Sequence, residues 1–128
     1  MEKIEIRKYD KIWSKLILLQ YKYCFRCGGS DAMAPHHIVK RRKHSARWDL
    51  RNGIGLCRAC HCFAENWPID FIIWLMAKKG HWGKKWLEAL VRKGTQAGNK
   101  IIIEKDIQRL LFEYQNSGKL INEKLENG

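Results

Sequence analysis

Apolar residues recur at helical spacing near the start of the chain. The apolar positions of residues 10–22 that follow this spacing are Ile12, Trp13, Leu16, Ile17 and Leu19. Intervals of three and four residues place these side chains on one face of a helix, and Asp10 stands where an N-cap belongs. The pattern therefore predicts an amphipathic N-terminal helix over residues 10–22.

The same periodicity returns in the second half of the chain. Pro68 suits a first helical turn, and the apolar segment that follows it ends at Gly80, which can terminate a helix. Further helices are predicted over residues 82–92 and 104–115. Together these form a helical extension over residues 68–117, followed by a polar tail, residues 118–128, that we expect to be flexible.

The centre of the chain, residues 24–66, has a different pattern. Short segments at residues 33–39 and 53–56 read as strands, separated by a basic loop at residues 40–49, and a helix is predicted to open near Cys60. A chain of 128 residues is long enough for one domain and too short for two with separate cores. We therefore predict a single α+β domain over residues 1–128, mostly helical, with a small two-stranded centre.

Net charge then suggests a partner. The chain carries 25 Lys and Arg against 13 Asp and Glu, a formal charge of +12. Residues 40–51 and residues 78–93 each hold six basic residues and one acidic residue, so each segment has a net charge of +5. Concentrated basic segments favour contact with a phosphate backbone, and we expect DNA as the partner. Solubility alone, or an anionic membrane surface, would explain part of the same pattern.

Neither export nor membrane insertion is indicated by the sequence. No apolar run approaches the roughly 18 residues that a bilayer requires. The first ten residues carry charges where a signal peptide needs an apolar core. We therefore expect a cytoplasmic protein without membrane association.

Four cysteines form two C-x-x-C pairs, which are Cys24 with Cys27 and Cys57 with Cys60. This spacing lets both thiolates of each pair face one ion from a knuckle turn, and tetrahedral S₄ coordination suits zinc. A disulfide or four unrelated buried cysteines is the alternative. Four sulfur ligands would close the coordination shell, so we expect the zinc to be structural. Cys62 is left over and is interpreted as a small buried residue.

Histidines lie between and just after the two cysteine pairs. His36 and His37 are adjacent on a predicted strand, so they should project to opposite faces of it. His61 follows Cys60 directly and could complete a metal site with one of these two histidines. Glu65 lies four residues further on, on the same helical face, and could add an oxygen ligand.

The order of these motifs resembles the HNH, or ββα-metal, endonuclease family, including members that a CxxC…CxxC zinc site braces. The residues that carry the resemblance are His36-His37-Ile38-x-x-Arg41-Arg42, Arg47-Trp48-Asp49-x-x-Asn52 and Leu56-Cys57-x-x-Cys60-His61. The same string looks like the phage Rap/NinG recombination nucleases. The resemblance implies a small zinc-stapled ββα-metal (His-Me finger) core at residues 24–66, surrounded by helices.

The resemblance also implies roles for individual residues. His36 and His61 would bind a catalytic divalent ion, with Mg²⁺ or Mn²⁺ expected and Zn²⁺ or Ni²⁺ possible. His37 would be the general base, and Asn52 would hold the loop that orients it. Many family members have another histidine shortly after the position of His61, where this chain has Ala64 and Glu65. The expected products are 3′-hydroxyl and 5′-phosphate ends.

Side chains of the basic loop are the predicted nucleic-acid contacts, and they are Lys40, Arg41, Arg42, Lys43, Arg47, Trp48 and Arg51. The resulting hypothesis is a metal-dependent DNA endonuclease that nicks or cuts, with recombination or branched DNA as a candidate substrate. One alternative is a zinc-ribbon module that binds nucleic acid without cutting it. Another is a phage packaging or homing nuclease of the same HNH type.

Overall fold

The structure is a computed structural model that describes residues 1–40, 44–96 and 100–127. Five helices, two strands and one 3₁₀ turn follow each other along the described chain. In order they are α1 (Lys3–Gln20), β1 (Ala34–His37), α2 (His44–Arg47), the 3₁₀ turn (Leu50–Asn52), β2 (Gly53–Leu56), α3 (Arg58–Asn66), α4 (Pro68–Thr95) and α5 (Lys100–Asn127).

The two strands form an antiparallel hairpin in which Ala34 faces Leu56 and His37 faces Gly53. The β2 bounds match the predicted 53–56, while β1 is shorter than the predicted 33–39. Glycine is required in β2 because α1 packs directly on it. A Cβ added at Gly53 would lie 2.6 Å from the Trp13 side chain, and one added at Gly55 would lie 2.5 Å from Cβ of Tyr21.

Buried side chains form two clusters on the two sides of the hairpin region. One joins β2, the cysteine pairs and α4, with Leu56, Phe71 and Leu75 at its centre. The other joins α1, the segment before β2 and α5, with Trp13 and Leu110 among its buried members. The helices therefore bury the hairpin from both sides, and residues at the strand ends are left to line the candidate site.

Two predicted features of the first helix are wrong. Helix α1 begins at Lys3 rather than at residue 10, and Glu2 occupies the N-cap position. Asp10 lies in the middle of the helix and accepts hydrogen bonds from Arg47 and Trp48. A side chain that can cap a helix can equally bind a distant cation, and here the long-range ion pair determines its role.

The helix boundaries near two glycines are also wrong. Helix α4 continues through Gly80, where the sequence predicted one helix to end before another over residues 82–92. Helix α5 continues through Gly118 to Asn127, so the predicted boundary of a tail at residue 118 does not hold. A glycine inside a helix costs about 1 kcal/mol relative to alanine, which packing elsewhere along a long helix can outweigh.

The coarse fold prediction is confirmed, because the described chain is mostly helical with one small two-stranded antiparallel sheet. The predicted basic loop, residues 40–49, contains the short helix α2, and the 3₁₀ turn follows directly after it. None of the helices in the described residues is both long and apolar enough to cross a membrane.

Candidate metal centres

The four paired cysteines converge on one point between the knuckle and α3. Their sulfur atoms all lie within 4.8 Å of one another. Cys27 Sγ lies 3.6 Å from Cys57 Sγ, too far for a disulfide, whose S–S bond is about 2.05 Å. A tetrahedron with Zn–S bonds of about 2.3 Å has edges of about 3.8 Å. The cluster therefore could hold a structural zinc ion, as the spacing predicts.

The turn that carries the first pair is shaped to present sulfur. Gly28 adopts φ +79°, a left-handed conformation that glycine accepts without strain. The amides of Cys27 and Gly29 point at the sulfurs of Cys24 and Cys27, at 3.5 and 3.4 Å. Amide donors of this kind stabilise thiolates, which are the metal-binding form of cysteine.

The surroundings shift the pKa values of two of these thiols in opposite directions. Burial raises the pKa of Cys24, but backbone amides outweigh it and lower the pKa to about 6. Burial and the three neighbouring thiols raise the pKa of Cys60 to about 12, although Arg26 opposes them. Four thiols this close cannot all ionise without a cation among them, so the donor set fits a divalent metal.

Arg26, inside the first C-x-x-C, was not singled out from the sequence. Its Nη1 lies 3.5 Å from Cys60 Sγ, and its guanidinium lies 4.1 Å from the ring centre of Phe63. It places a positive charge beside a cluster that would be negative when metal-bound. Its position between two ligand cysteines is the sequence signal that could have identified it.

A second convergence lies on the next turn of α3. Cys57 is the N-cap residue of this helix and Cys60 lies in its first turn, so the cysteine cluster fixes where His61 and Glu65 point. Strand β1 supplies His36 from the other side. One ligand atom from each of these three lies within 4.8 Å of the others.

The distances show how the three are arranged. His36 Nδ1 lies 3.4 Å from Glu65 Oε1, and His61 Nε2 lies 3.9 Å from the same oxygen. The rings of His36 and His61 are arranged edge to face, with their centres 5.4 Å apart. His36 is 6% exposed, whereas the side chains of His61 and Glu65 are 34% and 45% exposed. The trio is therefore buried on one side and open to solvent on the other.

Protonation states in the trio suit metal binding. Burial, followed by the charge of His61, lowers the pKa of His36 to about 4, so its ring is neutral near pH 7. Burial raises the pKa of Glu65, but Lys40 outweighs it and the net shift is downward. A neutral imidazole and an ionised carboxylate are the forms that bind a cation. Lys40 Nζ, 3.2 Å from Glu65 Oε2, would compete with that cation.

His37 lies on the opposite face of β1 from His36, as the strand geometry predicts. Its ring stacks on Trp13 with centroids 3.7 Å apart and planes 6° apart. Its Nε2 lies 3.0 Å from the carbonyl oxygen of Arg47. Because a carbonyl oxygen only accepts, Nε2 must carry the proton in this contact and Nδ1 the lone pair.

Asn52 closes the loop that contains this carbonyl. Its Oδ1 accepts from the amide of Val39 at 2.7 Å, and its Nδ2 donates to Val39 O and Ala46 O at 3.0 Å. The side chain is fully buried. The amide group thus joins residue 39 to residue 46, one position before Arg47, whose carbonyl orients His37.

Two of the predicted nucleic-acid contacts are internal. Trp48 is 1% exposed and donates Nε1–H to Asp10, so the structure does not support the prediction that it rests against DNA. The Arg47 side chain is 12% exposed and forms a two-point ion pair with Asp10. Both side chains anchor the loop onto α1. The sequence alone could not predict this role, because it depends on which residue of α1 they contact.

The other predicted contacts have different placements. Lys40 and Arg51 are exposed, with side-chain exposures of 56% and 66%, and each pairs with a carboxylate, Glu65 or Asp49. Asp49 also receives Lys93 of α4 at 2.8 Å. Arg41, Arg42 and Lys43 lie outside the described residues. Lys40 and Arg51 are therefore the described members of this set that reach solvent.

Comparison with known proteins returned no matching family model, no matching curated protein and no matching solved structure.

Proposed function

We propose that the protein is a metal-dependent endonuclease that hydrolyses phosphodiester bonds in DNA, with β1, β2 and α3 acting as a ββα-metal core. The observation that carries the proposal is the open trio of His36, His61 and Glu65 at the strand whose last residue is His37. That histidine already has its tautomer fixed by a backbone carbonyl.

The trio fits a catalytic ion better than a structural one. Three protein ligands with an exposed side leave coordination positions for substrate, whereas a structural site is closed by its ligands. A bound divalent ion, Mg²⁺ or Mn²⁺ with Zn²⁺ or Ni²⁺ also compatible, would neutralise charge on the scissile phosphate and its leaving oxygen. Lys40, released from Glu65 on metal binding, would be free to contact a neighbouring phosphate.

His37 supplies the base in this proposal. In the neutral ring, donation of Nε2–H to the Arg47 carbonyl puts the lone pair on Nδ1, and this atom would accept the proton of the attacking water. Carbonyl and ring stay paired as the ring becomes positively charged, which stabilises the protonated form. General-base catalysis by a positioned imidazole typically contributes about 10²- to 10⁴-fold in rate.

Asn52 is a positioning residue in the same account. It touches no reacting atom, but its three hydrogen bonds hold both ends of the loop whose next residue orients His37. The ion pair of Arg47 with Asp10 fastens that loop to α1. We therefore expect the base to keep its orientation before substrate arrives.

A second candidate function is a zinc module that binds nucleic acid without cutting it. The stacking of His37 on Trp13 favours this alternative, because a partly buried, stacked ring is also what a purely structural histidine shows. In that case His36, His61 and Glu65 would be a polar cluster that never holds an ion during function.

Supercoiled plasmid and a synthetic four-way junction distinguish these candidates. Wild type and His37→Gln are incubated with Mg²⁺, Mn²⁺, Zn²⁺ or Ni²⁺, and DNA binding is measured in parallel by fluorescence anisotropy. Glutamine keeps a side-chain N–H for the Arg47 carbonyl but accepts no proton at neutral pH. We expect metal-dependent nicking that falls at least about 10²-fold in the variant, with binding unchanged within about threefold.

The alternative makes the opposite prediction for the same samples. Wild type that binds DNA and cuts neither substrate with any of the four ions would support the binding module. A His37→Gln variant that loses binding along with cutting would assign His37 to phosphate contact. Preferential cutting of the junction would support recombination DNA as the substrate.

A further inference from the structure

A basic groove lies between α1 and α5, away from the trio and from His37. It has a volume of about 520 Å³, and its cationic lining consists of Arg7, Lys8, Lys11 and Lys15. Its other described lining residues are Ile4, Ile12 and Tyr114. None of the described lining residues is acidic.

These cations lie on one face of α1 because of their spacing. Arg7, Lys11 and Lys15 are four residues apart, which places them in one row along the helix. All are exposed, while Trp13 and Ile17 of the same helix are buried against the hairpin. The row therefore faces solvent on the side of α1 away from His37.

Two acidic residues of α1 and α5 pair with cations outside this row. Asp10 of α1 pairs with Arg47, and Glu113 of α5 pairs with Arg109. Within the part of the chain that the structure describes, the four cations of the groove form no ion pair with an acidic side chain. Lys15 instead lies 5.9 Å from the ring centre of Tyr114.

We propose that this groove binds the phosphate backbone of duplex DNA at a second position, separate from the cleavage site. The nine residues of helix from Arg7 to Lys15 span eight rises of about 1.5 Å each, or about 12 Å. One DNA strand carries a phosphate about every 3.4 Å along the axis, so the row matches three to four phosphates. The inference rests on the proposed function only for the choice of DNA as the ligand.

The arrangement implies that DNA contacts two sides of α1. Trp13 on the inner side stacks on His37, and the cation row lies on the outer side. DNA at the cleavage site would need to bend around the helix, or a second arm of the substrate would occupy the groove. A branched substrate should therefore gain more from the groove than a short linear duplex.

Charge neutralisation tests the proposal. The variant Arg7→Gln/Lys11→Gln/Lys15→Gln is compared with a matched variant, Lys22→Gln/Lys100→Gln/Lys105→Gln, whose exposed lysines lie outside the groove. Both variants lose three positive charges, and glutamine is a good helix former. A third variant, Arg7→Lys/Lys11→Arg/Lys15→Arg, retains the charge and should retain binding.

Binding to a 30-base-pair duplex and to a four-way junction is measured by anisotropy across a salt series, in the His37→Gln background without added divalent ion. For the groove variant we expect affinity about 10²-fold weaker at 0.1 M salt and a salt slope smaller by about two to three. The matched variant should change affinity by less than about threefold. Anionic lipid vesicles serve as a competing ligand.

Three results would overturn the proposal: equal loss in the two neutralised variants, no loss in the groove variant, or loss of vesicle binding with DNA binding intact. The test is independent of catalysis. Loss of binding in the groove variant stands even if His37→Gln proves to cut DNA normally, and retained binding refutes the groove even if His37 proves essential.

Discussion

The cysteine cluster and the histidine–glutamate trio share helix α3, but they differ in how far their side chains are exposed to solvent. Three of the four cysteines are buried, and their sulfurs are close enough to surround one ion completely. The trio has one buried ligand and two that reach solvent, with Lys40 already seated on its carboxylate. One centre is enclosed, and the other is open to solvent on one side.

Their connection through α3 explains why both are present. Cys57 caps the helix, Cys60 lies in its first turn, and His61 follows directly. A nine-residue helix has little stability of its own. A filled cysteine site would therefore fix the helix from which His61 and Glu65 reach His36, so the closed centre positions the open one.

Breaking the closed centre should have the largest effect. Structural zinc contributes about 10–16 kcal/mol to the folding of zinc-finger peptides, comparable with the whole stability of a typical domain. We expect Cys60→Ser to lose bound zinc and the cooperative unfolding transition, measured by metal analysis and thermal denaturation. Second-site metal binding should disappear with it.

The matched control for this change is Cys62→Ser. Cys62 lies on the same helix outside the cluster and is exposed, so the prediction that it is a small buried residue is wrong. The Cys62→Ser protein should retain zinc and unfold within about 2 °C of wild type, because surface substitutions usually change stability little. Retention of zinc and of the unfolding transition by Cys60→Ser would contradict the division between a closed and an open centre.

A smaller loss of stability is expected when Asn52 is changed, because this residue supports the loop beside the open centre and binds no metal. Asn52→Ala removes three hydrogen bonds and leaves the part-buried amide and carbonyl of Val39 without these partners, while the Ala46 carbonyl still accepts from the amide of Asp49. Each such group costs about 1–3 kcal/mol, so the free energy of unfolding should fall by about 2–4 kcal/mol in chemical denaturation. Zinc content should not change.

Asn66→Ala provides the comparison for this variant. Its amide also donates to a backbone carbonyl, that of Cys62, but the contact is exposed. We expect a change below about 0.5 kcal/mol. Similar losses in the two variants would show that Asn52 is an ordinary surface-like polar contact rather than the clamp of the loop.

The smallest expected effect is a gain in metal affinity at the open centre. Lys40→Gln removes the ammonium group that lies 3.2 Å from Glu65. An exposed ion pair is worth about 0.2–1 kcal/mol, so its removal should tighten Mn²⁺ binding about two- to fivefold, measured by calorimetry. Weaker Mn²⁺ binding in this variant would mean that Lys40 supports the site instead of competing for it.

Local sequence was sufficient to predict much of the candidate site. The C-x-x-C spacing, the adjacency of Cys60 and His61, and the i, i+4 relation of His61 to Glu65 are short-range features that a helix or knuckle imposes directly. The opposite orientations of His36 and His37 follow from strand geometry. The bounds of β2 match the short segment, Gly53–Leu56, that the sequence predicts as a strand.

Long-range pairing determined what could not be predicted. Nothing local to Trp48 indicates that Asp10, 38 positions earlier, would receive its N–H and bury it. Asp10 also forms an ion pair with Arg47, which removes Arg47 from the predicted DNA contacts. Gly80 and Gly118 read as helix ends because the cost of a glycine is local, whereas α4 and α5 both continue past them.

Single-turnover cleavage of a labelled DNA, followed at increasing Mn²⁺ with protein in excess, tests the central claim most directly. Wild type should reach a saturating rate. His61→Ala should need at least about tenfold more Mn²⁺, the effect of about 1.4 kcal/mol in binding, and His37→Gln should stay slow at every concentration. Equal rates in all three zinc-loaded proteins, or no cleavage by wild type, would contradict the account.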